Sequence, residues 1–227
     1  MSEEEKRNPP PPPDFVLRGH TDPVTALRFT PDGTRLISGS QSGEMRIWDM
    51  TSKRTSSIFS FKPQFTPISA PTVLNITAKT NQKFISQSKC GTIDLWDISP
   101  GSVEHISSIN TDSCSFCKFA YSQEKDYIVS SLEDTKQIGL WDGSFREPEK
   151  ISKTLKIIRY SGMVMSLIWD KVDNNYLFAG YEDGTIYTFD TRKEEYPINE
   201  LKLHSEPSKT YPPHNHLHIY HYYSNMP

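Results

Sequence analysis

The chain is 227 residues long, with 25 lysines and arginines against 28 aspartates and glutamates, a formal net charge of −3. That balance gives no electrostatic footing for nucleic acid or an anionic membrane surface, and no stretch reaches the roughly 18 consecutive apolar residues of a membrane span. Hydrophobic content is 35%, and many of the 17 prolines are clustered, so the folded portion is expected to be smaller than the length suggests.

The chain opens Met-Ser-Glu-Glu-Glu-Lys-Arg, which is not the basic-then-apolar pattern of a secretory leader, so an intracellular setting is expected. Three cysteines, Cys90, Cys114 and Cys117, fit a reducing compartment better than a disulfide framework. Residues 1–13 combine charges with the run Pro9 to Pro13 and read as a disordered acidic, proline-rich leader that cannot bury apolar surface. From Asp14 onward short segments of β-formers alternate with Gly, Asp, Asn, Ser and Pro, an all-β pattern without helical periodicity. Phe15–Leu17, Val24–Phe29, Arg35–Ser38 and Met45–Trp48 are predicted strands, joined at Gly19-His20, Pro31-Asp32-Gly33 and Gln41-Ser42-Gly43.

Aligning the chain on Trp48-Asp49 finds Trp96-Asp97, Trp141-Asp142 and Phe189-Asp190, at spacings of 48, 45 and 48 residues. A period in the mid-forties ending in Trp-Asp matches the four strands per blade of a WD40 β-propeller. A second register agrees, because Gly43, Gly91 and Gly184 each lie five residues before the aromatic. The third repeat has Lys136 there, after Leu132 to Thr135, which reads as the same turn with one inserted residue. Residues 14–207 are therefore expected to form about four blades. In WD proteins a His, Asp, Ser or Thr and Trp network satisfies the buried indole. Here the first repeat offers His20, Trp48 and either Ser38 or Ser40, with Ser42 where Asp is usual. The fourth has Asp183 but Phe189, and the second and third lack a Gly-His; Leu203-His204 would open a fifth repeat.

Three phrases, PPPPPDFVLRG from Pro9 to Gly19, SGSQSG from Ser38 to Gly43 and LFAGYEDG from Leu177 to Gly184, resemble the guanine nucleotide-binding protein beta-subunit-like protein 1 family, whose fungal relatives are the ASTRA-associated proteins. The resemblance runs from about Pro9 to Pro207 and is thin between Lys62 and Lys156. It implies a non-enzymatic propeller of cytoplasm and nucleus. Its implied role is to assist the maturation or stability of phosphatidylinositol-3-kinase-related kinases, and so the DNA-damage response, with a chaperone assembly. No long heptad helix is present to recruit a G-protein gamma subunit.

Seven blades would need about 300 residues, so an incomplete seven-bladed ring is expected rather than a closed four-bladed one. In a WD ring the first strand of the chain usually completes the last blade, and Phe15–Leu17 would be that strand with no blade to join. Residues 208–227, rich in His and Tyr, break the strand pattern and read as a disordered tail, a foreign ending on a shortened chain. A shortened product without independent function and a generic WD adaptor with other partners are the competing readings.

Candidate chemistry is sparse. His214, His216, His218 and His221 could meet a transition metal in the test tube, but the tail supplies no scaffold or outer-shell support. Cys114-Ser115-Phe116-Cys117 has redox spacing, yet in a strand its two thiols would point to opposite faces. No nucleophile elbow, Walker loop or dinucleotide fingerprint occurs, and the recurrent aspartates mark a structural repeat rather than a single catalytic site. No enzyme activity and no cofactor are expected. Binding of other proteins is, with Gln41, Glu133, Tyr181 and Glu182 in the turns, and Trp169 if exposed, as candidate contact residues.

Overall fold

The computed structural model describes residues 11–60, 72–159, 161–193 and 195–202. The leader up to residue 10, Leu203-His204 and the His/Tyr-rich tail lie outside the described residues. Among the described residues four antiparallel sheets follow one another, each with its four strands in sequence order. The first blade is β1 (Val24–Phe29), β2 (Arg35–Ser40), β3 (Glu44–Asp49) and β4 (Arg54–Ser60). The second is β5 (Val73–Ala78), β6 (Lys83–Ser88), β7 (Thr92–Asp97) and β8 (Glu104–Asn110). The third is β9 (Ala120–Ser122), β10 (Tyr127–Ser131), β11 (Ile138–Asp142) and β12 (Lys153–Leu155), and the fourth is β13 (Val164–Trp169), β14 (Tyr176–Tyr181), β15 (Thr185–Asp190) and β16 (Asn199–Lys202).

The period-2 side-chain alternation of a strand gives every blade two apolar faces with different residues. In the first blade, Trp48 shares a face with Leu27, Phe29 and Leu36, while Ile37, Met45 and Phe59 occupy the other. The second blade repeats this register with Trp96, Ile76 and Phe84 against Ile85, Ile93 and Ile109. Three cores result. Ile37, Met45 and Phe59 pack on Ile76, Phe84 and Trp96. Ile85, Ile93 and Ile109 pack on Phe119, Ile128 and Trp141. Val129, Ile138 and Leu155 pack on Leu167, Trp169, Leu177 and Phe189. From the second blade onward, the Trp-position face is thus covered by the opposite face of the blade before it. Among the described residues no core joins the fourth blade back to the first, so the four blades form an open array.

Polar contacts set the offset between blades. The Thr25 hydroxyl donates to the Val73 carbonyl at 2.6 Å, and Lys79 donates to both Asp126 oxygens at 2.5 and 2.7 Å and to the Gly143 carbonyl at 2.7 Å. Tyr181 reaches back from the fourth blade to the Lys136 carbonyl at 3.0 Å.

Turn chemistry carries the second register. The three-residue links Gln41-Ser42-Gly43, Lys89-Cys90-Gly91 and Glu182-Asp183-Gly184 end in glycines at φ +85°, +88° and +84°, the left-handed position of a three-residue hairpin. Leu36 pairs with Trp48, Phe84 with Trp96 and Leu177 with Phe189, each twelve positions on, whereas Ile128 pairs with Trp141, thirteen on. The third hairpin therefore accommodates one more residue, as its sequence indicates.

Two expectations are corrected. Phe15–Leu17 is not a strand; its backbone finds no sheet edge among the described residues, and the fourth strand of the first blade is Arg54–Ser60 instead. Cys114 to Cys117 lie in the connection from β8 to β9, not in a strand. That segment is held by a side chain in place of a ladder: the Gln87 amide donates to the Cys117 carbonyl at 3.0 Å and accepts from the Phe119 amide at 2.9 Å. Cys114 is exposed, and burial pushes the Cys117 thiol up to about 12.

A left-handed φ costs an L-residue about 1–2 kcal/mol, and a Cβ on Gly91 would also come within 2.9 Å of the Ser113 carbonyl oxygen, whereas one on Gly101, at the same φ, would meet open space. Urea denaturation should therefore show G101A losing about 1 kcal/mol and G91A at least about twice that. Equal losses would contradict the close approach of the two backbones.

Candidate interaction surface

The network beneath the loops differs from blade to blade. In the first, the Trp48 indole donates to Ser38 Oγ at 2.8 Å, and His20 Nε2 lies 2.6 Å from the same oxygen. Ser38, not Ser40, is thus the hydroxyl; Ser40 Oγ is bonded to Ser42 Oγ at 3.0 Å. The carboxylate expected at position 42 comes from Glu44 at the start of β3, whose Oε1 is 2.9 Å from His20 Nδ1 and 2.6 Å from Arg46 Nε. Glutamate's extra methylene lets it reach the imidazole from two residues further along, a substitution that motif spacing hides.

In the second blade Trp96 donates to Ser86 Oγ at 2.8 Å. The histidine missing from the entry turn is supplied by the outer strand: His105 Nε2 is 3.0 Å from Asp94 Oδ1, and its ring stands edge-on to Trp96 at 5.0 Å. Asp94 also accepts from Thr92 at 3.0 Å and from Ser108. In the third blade the register places Ser130 where Ser38 and Ser86 stand, but Trp141 folds over Gly139, and Ser130 Oγ is buried without a hydrogen-bond partner. The fourth blade loses both halves of the bond together, with Phe189 for the tryptophan and Ala179 for the serine. A ring without an N–H needs no acceptor, so this pair avoids an orphaned polar group.

The aspartates after each aromatic act locally. Asp49 accepts from the Ser52 amide at 2.6 Å, Asp97 from the Ser99 amide at 2.8 Å, and Asp142 from the Ser144 amide at 2.9 Å. Asp190 is buried and takes Arg192 through Nε and Nη2, each at 2.9 Å. Asp183 accepts from the Thr185 amide at 2.9 Å. These bonds hold the carboxyls below the usual range: Asp49 chiefly through the Ser52 amide, Asp97 through the Ser99 hydroxyl, and Asp190 through the Arg192 guanidinium, down to about 2. Burial likewise holds the His20 imidazole below its ordinary value, opposed in part by Glu44.

Alternate turns of each meander fall at the same end of the array. The β2–β3, β6–β7, β10–β11 and β14–β15 turns share one end with the connections entering each blade. Gln41, Glu133 and Glu182 are exposed there. Glu182 accepts from the Met163 amide at 3.3 Å. The other two candidates are not surface residues: Tyr181 is fully buried with its hydroxyl bonded, and Trp169 is 6% exposed in the core between the third and fourth blades. Period-2 alternation turns both toward the neighbouring blade. The sequence reading overlooked three large apolar side chains at the same end, Phe116 at 70% exposure, Ile158 at 80% and Met163. Phe116 carries Lys89 Nζ over its ring at 4.6 Å. Their position in the entry connections, outside the strand alternation, is the signal that would have found them. A shallow cleft of about 330 Å³ opens between β9 and β13, lined in part by Tyr121, Gln123, Trp169 and Asp170. Among the described residues no group of three or more His, Cys, Asp or Glu could hold a metal ion.

Two outcomes follow for stability. W96F and S86A should each leave a buried group unpaired at about 1–3 kcal/mol, and the double variant should cost about 1 kcal/mol less than their sum; additive urea midpoints would refute the bond. The folded pKa of His20 lies below the unfolded value, so its stabilising contribution is complete above about pH 6.5 and lost as pH falls through the folded value. The depressed aspartates act in a lower window, complete above about pH 4 and lost toward about pH 2. Acidification should thus lower the urea midpoint in two stages, with H20Q removing most of the first; an unchanged first stage in H20Q would assign it elsewhere.

Residues 12–49 match the family described as WD domain, G-beta repeat. The chain is 26% identical over 191 residues to the guanine nucleotide-binding protein subunit beta of Oryza sativa subsp. japonica, covering 81% of this chain and 48% of the relative. It is 28% identical over 207 residues to the guanine nucleotide-binding protein subunit beta-like protein 1 of Mus musculus, covering 85% of this chain and 60% of the relative. The chain spans about half the length of the curated relatives it matches. Among solved structures it is similar to Chaetomium thermophilum Raptor, with a TM-score of 0.65 and 19% identity over 81% of this chain and 17% of that one. Likeness of fold, the matched repeat and the four-stranded sheets agree: the chain carries a WD repeat at residues 12–49, and its described residues form an open array of four propeller-type blades.

Proposed function

We propose that this chain is a non-enzymatic scaffold that assists the maturation or stability of phosphatidylinositol-3-kinase-related kinases, in cytoplasm and nucleus, as part of a chaperone or ASTRA-type assembly. The family reading is supported by the phrases from Pro9 to Gly19, Ser38 to Gly43 and Leu177 to Gly184 and by the similarity to the mouse beta-like protein 1. The observation that carries binding is the exposure of Phe116, Ile158 and Met163 at the same end as Gln41, Glu133 and Glu182. Large apolar side chains exposed on one end together with polar turn residues are the residue types from which interface centres and rims are made. Contact by loops on a rigid scaffold is the chemistry this end supports.

Affinity purification of the full chain from its native cells, followed by mass spectrometry, tests this reading. The expected result is recovery of kinase-maturation chaperone components, reduced at least about tenfold in F116D/I158D, with the circular dichroism spectrum unchanged. A folded wild-type chain that recovers none of them would overturn the kinase role. Stoichiometric recovery of a different set, with the same dependence on Phe116 and Ile158, would assign the surface to another adaptor function, in keeping with the variety of WD relatives.

A further inference from the structure

Three of the four described blades close the start of their inner strand in the same way. The first amide of the β2–β3 type turn donates to the carbonyl that precedes the strand: Gln41 to Pro23 at 2.9 Å, Lys89 to Thr72 at 2.8 Å and Glu182 to Met163 at 2.9 Å. A valine follows that carbonyl each time, Val24, Val73 and Val164, five positions before the partner of Leu36, Phe84 or Leu177. Val73 and Val164 are fully buried. In the third blade the same count back from Tyr121, the partner of Ile128, arrives at Phe116, and the turn amide is that of Glu133. The bond is missing there: neither the Glu133 amide nor the Ser115 carbonyl has a partner among the described residues, and β9 starts only at Ala120. A phenylalanine overfills a position that holds a buried valine in the blades on either side, and the backbone bends at Phe116 with the ring standing outside. The bend is nonetheless pinned. Ser131 Oγ lies 2.9 Å from Ser113 Oγ and 2.7 Å from Ser115 Oγ on one side of it, and Gln87 grips the Cys117 carbonyl and the Phe119 amide on the other. Lys89 Nζ sits over the Phe116 ring at 4.6 Å, and Lys118 is exposed two residues on. Among the described residues neither lysine pairs with a carboxylate. Asp112, the one acid between β8 and β9, already accepts from the Asn110 side chain at 2.7 Å.

We propose that Phe116, Lys89 and Lys118 form the docking point for an acidic peptide segment of a partner protein, one that carries an apolar or aromatic side chain flanked by carboxylates. The inference rests on the reading that this end of the array binds protein, and it names the chemistry of the partner. The ring supplies apolar area on contact. Whatever covers the ring also covers the ammonium held above it, and an ammonium taken out of water without a counter-charge is costly. The occupant therefore brings a carboxylate to Lys89, and a second one reaches Lys118. A purely apolar or a basic segment would strand the charge. Because the bend is pinned before anything binds, little ordering is lost on association, and rigid aromatic anchors dominate the energetics of such contacts. The backbone amides of Cys114 and Phe116, exposed and without a hydrogen-bond partner among the described residues, are available to the main chain of the peptide.

Selection from a phage-displayed library of random dodecapeptides on the purified 227-residue chain tests this. The enriched sequences should place Asp or Glu on both sides of an apolar or aromatic residue, and a fluorescein-labelled peptide of that consensus should bind more weakly as salt is raised. F116S should weaken its binding at least about tenfold. K89E/K118E should lose it and enrich basic sequences instead. Circular dichroism checks that the variants fold, and K118E, which changes one exposed side chain, should move the selection in the same direction by less. Enrichment of sequences without acids, enrichment that F116S leaves unchanged, or no enrichment at all would overturn the proposal. So would a single-stranded oligonucleotide that binds more tightly than the selected peptide and is lost in K89E/K118E, which would assign the two lysines to phosphate. The selection contains no kinase-maturation component, so its outcome is separate from that of the affinity purification: chaperone recovery there without an acidic consensus here sinks this inference alone, and the reverse sinks only the kinase role.

Discussion

A WD-type blade is a small twisted sheet with two apolar faces and no core of its own, so its stability lies between blades. The tryptophan or phenylalanine face of each blade is covered by the far face of the one before it, and that pairing recurs three times in this chain. Burial at about 25 cal/mol per Å² rewards large side chains at the centre of each contact, which is where Trp96, Trp141 and Phe189 sit. The cross-blade polar bonds, such as Lys79 with Asp126 and Thr25 with the Val73 carbonyl, fix the offset of surfaces that dispersion and burial hold together. Among the described residues the second and third blades have both faces covered by another blade, and the outer two have one.

Within that frame the polar network varies from blade to blade. Glu44 stands in for an aspartate two positions earlier, His105 replaces a histidine from the entry turn, and Phe189 with Ala179 dispenses with the bond altogether. The first two keep a histidine–carboxylate pair beside a tryptophan whose indole N–H donates to Ser38 or Ser86, and the third removes donor and acceptor together. Two buried groups depart from this: Ser130 keeps the hydroxyl while Trp141 turns over Gly139, and the Trp169 indole nitrogen is buried without a hydrogen-bond partner. The aspartates that name the repeat serve a separate purpose, closing turns through backbone amides, and their lowered proton affinity is a by-product of that duty.

Because strands and cores are committed to these pairings, binding falls to what lies outside them. The entry connections and the β2–β3 type turns gather at one end, where exposed Phe116, Ile158 and Met163 break the polar surface. The contact is therefore built from residues with no packing duty, whereas Tyr181 and Trp169, which look similar in the sequence, are absorbed into the core between the third and fourth blades.

The Trp-Asp spacing and the glycine register were enough to determine the fold class, the number of blades, the hairpin glycines and the single inserted residue of the third repeat, because these follow from local turn geometry and a fixed period. Local pattern could not say which hydroxyl meets Trp48, which carboxylate meets His20, or that Arg54–Ser60 rather than Phe15–Leu17 completes the first blade. Those depend on which strand edge is available and how far a side chain reaches across it. Exposure was decided by tertiary structure alone: Leu27 and Ile76 are equivalent in sequence register, and only the presence of a neighbouring blade makes one a core residue and the other a surface. The sequence by itself determined the unit and its repetition, while the packing of one unit on the next, a contact between residues some 45 positions apart, decided which faces are core and which remain open to a partner.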